Sequence, residues 1–83
     1  MTRYHFHILD GTPLVDEHGT ELADIDTAKA EAIRLAGEVL KHAKPDDIWA
    51  IATWKLVVND CPSPDSGRTY FILTLSAKDG GAV

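Results

Sequence analysis

Cysteine is all but missing: Cys61 is the only one among 83 residues, which excludes a disulfide within the chain. Four histidines beside a single thiol match no zinc-finger spacing. A chain of this length buries only roughly 60–65% of the surface its unfolded form exposes, so stability has to come from its own core, with help from self-association. Nowhere do about 18 apolar residues run together, and Met1-Thr2-Arg3-Tyr4-His5 opens no apolar stretch of signal-peptide length. The lone thiol suits a reducing compartment, and the expected location is the cytoplasm. Positive charge is also scarce. Eight Lys and Arg against 13 Asp and Glu leave a net charge of −5, which repels phosphate backbones and anionic lipid, so neither nucleic acid nor a membrane is expected as a partner. No Gly-x-Ser-x-Gly, Walker-type or dinucleotide-type glycine pattern occurs, and no heptad, solenoid period or low-complexity linker.

What remains is an ordinary globular composition, 45% hydrophobic and 25% charged, of a size for one domain over residues 1–83. Arg3 to Leu9 alternates with a period of two, Tyr4, Phe6 and Ile8 on one side and Arg3, His5 and His7 on the other, which predicts a half-buried strand. Asp10-Gly11 supplies a turn. A short strand over Pro13 to Val15, a second turn at Asp16-Glu17-His18-Gly19 and extended chain over Thr20 to Leu22 follow.

The long helix is the plainest element. Asp24 or Asp26 caps it, acidic residues fill its first turns and Lys41, His42 and Lys44 its last, in the order that the helix dipole favours. Ile25, Ala28, Ala32, Leu35, Ala36, Val39, Leu40 and Ala43 form an apolar stripe at spacings of three and four, and Pro45 is expected to end the helix. Residues 46–53 read as a turn or short helix before a strand from about Thr53 to Asn59. Asp60 to Arg68 is turn chemistry, Thr69 to Ser76 is the last strand, and 77–83 reads as a flexible tail.

These elements predict an α+β fold of ββαββ order, an antiparallel sheet of about four strands with the helix packed on one face. Tyr4, Phe6, Ile8, Trp54, Leu56, Val58, Phe71, Leu73 and Leu75 would lie beneath that helix. The opposite face would carry His5, His7, Lys55, Val57, Tyr70 and Ile72, more apolar than a solvated face needs. That set is the candidate interaction surface, with a second copy of the chain or another protein as partner and no small-molecule substrate in evidence.

Arg3-Tyr4-His5-Phe6-His7, then Asp10-Gly11, Asp16, Gly19, Glu21-Leu22 and the Ala28-x-x-Glu31-Ala32 helix start resemble a bacterial family of small proteins known only as a domain of unknown function, DUF6894. The resemblance runs from about Thr2 to Leu75. His5 stands where that family usually has an aromatic residue and Leu9 where a polar one is common, and the Asp60–Arg68 loop is longer. The resemblance implies the order of elements and carries no catalytic residue.

Other chemistry is weaker. His5-x-His7 places two imidazoles about 7 Å apart on one strand face and could supply two ligands to a transition metal, but no third ligand stands at a diagnostic spacing. Asp10, Asp16, Glu17, Asp60 and Asp65 are explained as turn residues and match no calcium loop. Cys61 beside Pro62 has no cation or helix N-terminus to activate it. The sequence therefore predicts a non-enzymatic interaction domain without catalytic residues, cofactor or metal. A regulatory or antitoxin-like module and a metal-binding protein built on His5 and His7 are the alternatives.

Overall fold

Alternation of side chains builds the sheet. A computed structural model of the chain describes residues 1–9, 13–50, 53–78 and 80. The expected Asp10-Gly11 turn lies outside them, as does part of the expected tail. Strands β1 (Thr2–Leu9), β2 (Thr20–Leu22), β3 (Thr53–Asn59) and β4 (Thr69–Ser76) pair antiparallel in the spatial order β2-β1-β3-β4. Two helices, α1 (Ile25–His42) and α2 (Pro45–Ala50), lie between β2 and β3 in the chain. The fold is α+β, a four-stranded antiparallel sheet with one main helix, and α2 makes the order richer than a plain ββαββ.

The first hairpin is not built as expected. Pro13 to Val15 contributes only one bridge, in which Ile8 and Leu14 exchange both backbone hydrogen bonds (2.9 and 2.8 Å). Regular pairing resumes at Tyr4 opposite Thr20. Six residues of one segment thus span four of the other, and the surplus chain arches away from the sheet edge between Leu14 and Thr20.

Asp24 is the α1 N-cap, its carboxylate accepting from the Thr27 amide (2.8 Å) and hydroxyl (2.7 Å). The helix ends at His42, before the proline expected to stop it, and Pro45 instead opens α2. This is the position at which proline's missing N–H costs nothing.

The core joins Tyr4, Phe6, Ile8, Trp54, Leu56 and Val58 from the two central strands to Ala28 and Ala32 of α1. Leu22, Leu35, Val39, Phe71, Leu73 and Leu75 pack against this cluster half-buried. The small alanines are the only buried residues of α1, which fits a close approach of helix to sheet. Leu40, expected on the apolar stripe, is 42% exposed, so the C-terminal part of α1 is less covered than its first half.

Candidate functional site

Folding of the surplus chain at residues 14–20 decides the fate of the two histidines. The side of β1 opposite the core cluster carries His5 and His7, and both are buried, at 4% and 0% exposure. The chain itself closes over them, from residues 13–19 on one side and from the β3–β4 connection on the other.

Asp16 is the hub of the first closure. Its carboxylate accepts from the Phe6 amide (3.0 Å) on the edge of β1, and its other oxygen accepts from the amides of Gly19 (3.0 Å) and His18 (3.3 Å). The carboxylate thereby stands in for the strand partner that β1 lacks between Leu14 and Thr20. Burial pushes the Asp16 carboxyl upward, but the three amide donors, led by Phe6, and the charge of His5 outweigh it. The net position lies below the ordinary 3.8. Gly19 makes the tight return with φ +73°. A side chain there would put its Cβ 2.8 Å from Arg3 Cγ and 3.0 Å from the His5 ring.

The backbone of Asp16 reads both imidazoles. Its N–H donates to His7 Nδ1 (3.0 Å), and its carbonyl lies 2.8 Å from His5 Nδ1. A carbonyl only accepts, so His5 carries a proton on Nδ1. An amide only donates, so His7 Nδ1 is a bare lone pair and its proton sits on Nε2. The two rings stack nearly parallel, 6.1 Å apart with 10° between planes.

From His7 Nε2 the network continues to the second closure. The Nε2–H is shared between Asn59 Oδ1 (2.9 Å) and the Cys61 carbonyl (3.0 Å). Asn59, at 0% exposure, also accepts from the Cys61 amide (3.2 Å). Its Nδ2 donates to the carbonyls of Ser63 (2.7 Å) and Ser66 (3.1 Å). Both donors and both lone pairs of this carboxamide are therefore engaged, the condition under which a buried polar group ceases to be a liability. Asp60 closes the base of the same loop by accepting from the Arg68 amide (2.7 Å), with Gly67 at φ +73° beside it.

The expected open face is thus mostly shut. His5, His7 and Val57 (6% exposed) are buried, while Lys55 and Ile72 remain exposed. Tyr70 lies elsewhere altogether. A bulge opposite Val58 and Asn59 sets Tyr70 out of register, and its ring packs 5.0 Å from that of Tyr4, at the margin of the core. The alternating run Thr69–Ser76 gave no sign of a bulge, and alternation alone placed Tyr70 on the wrong side. Asp16 and Asn59, which organise the buried face, read in the sequence as a turn residue and a strand end.

The chemistry open to this cluster is correspondingly narrow. A metal ligand or general base needs a nitrogen lone pair facing its target; His7 Nδ1 already faces the Asp16 amide, and His5 can offer only Nε2, on a residue that is 4% exposed. Cys61 is half-buried and free of any disulfide, with its backbone tied to His7 and Asn59. Among the described residues no group of three His, Cys, Asp or Glu side chains converges as a metal site. The described helices include none long and apolar enough to cross a membrane.

The model of the family described as Domain of unknown function (DUF6894) matches residues 3–76, nearly the whole chain and all six elements but for the first residue of β1. The chain belongs to the DUF6894 family. No curated protein and no solved structure gives a match to it. In this DUF6894 domain the matched stretch includes both closures, so the histidine–asparagine network lies wholly inside the family's boundaries.

Proposed function

We propose that this DUF6894 domain is a non-enzymatic protein-interaction module that associates with copies of itself. One observation carries the reading: side chains equipped for chemistry are engaged within the fold, while an apolar strip is left outside it. His5, His7, Asp16 and Asn59 are all bonded to the chain's own loops. By contrast a shallow groove between α1 and β4 is lined by Ala32, Ile33, Phe71, Ile72, Leu73 and the stem of Lys29. Ile33, on the helix side of this groove, is 66% exposed, and Ile72, on the other face of β4, is 51% exposed, large values for residues whose burial stabilises by roughly 1.5–3 kcal/mol each. The unpaired Cys61 suits a reducing cytoplasm.

Light scattering of the purified chain tests the proposal. A mass of twice the monomer or more at tens of micromolar is the expected result. A strict monomer at that concentration overturns it.

A further inference from the structure

The two outer edges of the sheet are finished differently. On the β1 side the edge is blunted: β2 is only three residues long, and the edge-facing Phe6 amide is capped by the Asp16 carboxylate. Among the described residues the β4 edge has no such treatment. β4 runs eight residues, Thr69–Ser76, without a charged residue or a proline, and beyond the bulge at Tyr70 its pairing is regular from Phe71 to Ser76. Each of the other three strands carries a charge: Arg3, Glu21 and Lys55. Soluble proteins ordinarily guard a long free edge with lysine, proline or brevity, because its unpaired amides and carbonyls template another strand.

The direction of those groups follows from the ladder. Ile8 exchanges both its hydrogen bonds with Leu14, so by antiparallel alternation His7 and Leu9 bond to β3. Val57, opposite His7, then turns toward β1, and Leu56 and Val58 turn toward β4. Their partners Leu73 and Phe71 bond inward, which leaves the N–H and C=O of Ile72 and Thr74 pointing out of the sheet.

Resting on the self-association proposed above, we infer that the occupant of this edge is β4 of a second copy. The two strands run antiparallel about a two-fold axis and join two four-stranded sheets into one. Charge selects this partner. A strand without charge gains nothing from a charged one, and against itself it sets uncharged residues opposite uncharged residues. The net charge of −5 is carried on other elements. The pairing also brings the groove beside Ile33, floored by Phe71 and Leu73, next to its counterpart, which adds apolar burial to the backbone hydrogen bonds.

Thr74→Pro separates the possibilities, because it deletes an N–H that points outward and leaves the β3–β4 ladder whole. The expected result is a variant with the parent's circular dichroism that runs as a monomer where the parent is a dimer. A folded variant that stays dimeric overturns the edge pairing but leaves self-association standing; a parent that is monomeric overturns both. Should the variant fail to fold, amide exchange on the parent decides. Protection of the Ile72 and Thr74 amides that falls on dilution supports the pairing, and fast exchange at every concentration overturns it.

Discussion

Asn59 holds four hydrogen bonds at zero exposure, and its removal is correspondingly costly. Asn59→Ala strands the Cys61 amide and the Ser63 and Ser66 carbonyls and weakens the tie to His7. Orphaned buried groups cost about 1–3 kcal/mol each where water cannot reach them. Partial rescue by water should hold the total to roughly 3 kcal/mol, measurable as a lower urea midpoint. Asp16 gives a pH signature. Its folded carboxyl titrates below the ordinary 3.8, so its contribution is fully present above the unfolded value and is lost as pH falls through the folded one. Stability of the parent should therefore drop on acidification below about pH 4, and Asp16→Asn, less stable at neutral pH, should show a shallower drop in urea melts run across that window. At this scale the sequence was legible for the core side of the two central strands, and opaque for the polar residues and for Val57 and Tyr70. Tyr4, Phe6, Ile8, Trp54, Leu56 and Val58 are buried as their alternation predicts. The fate of His5 and His7 depended on partners up to 54 positions away, which no local pattern encodes.

Among the elements, α1 was legible because its signals are local: the Asp24 cap, the acidic start and the basic end all lie within one turn of the residues they serve. The bounds of β3 were legible for the same reason. The arch at 14–20 was not, because a two-residue surplus in one segment shows only once its partner is known. Gly37 offers a test of α1. It lies mid-helix, it is exposed, and a Cβ placed there meets nothing within 4 Å. Gly37→Ala should raise stability by about 0.5–1 kcal/mol through helix propensity alone, read as a higher thermal midpoint. No change or a loss would overturn the propensity argument for this position.

Across the whole molecule, the loops at 13–19 and 60–67 are far apart in sequence, yet both meet at His7. Its two nitrogens bond one to each loop. Local openings of a small domain usually follow contiguous segments; here the two loops should open as one unit. His7→Leu, close in volume and without polar atoms, should speed amide exchange at Asp16 and at Cys61 together, by at least about tenfold for each 1.4 kcal/mol lost. Exchange that rises at Asp16 alone would show the loops to be independent.

The carboxamide of Asn59 has one more consequence, for the chemical lifetime of the chain. It is the sole asparagine, and the sequence has no glutamine. Spontaneous deamidation requires the next residue's amide nitrogen to attack the side-chain carbonyl. The Asp60 amide is instead bonded to the Arg68 carbonyl at 3.2 Å, and the Asn59 side chain is held at both ends. In the folded state this domain should age without the loss of amide nitrogen, while any copy that deamidates when unfolded would place a carboxylate where two donors are needed and refold poorly.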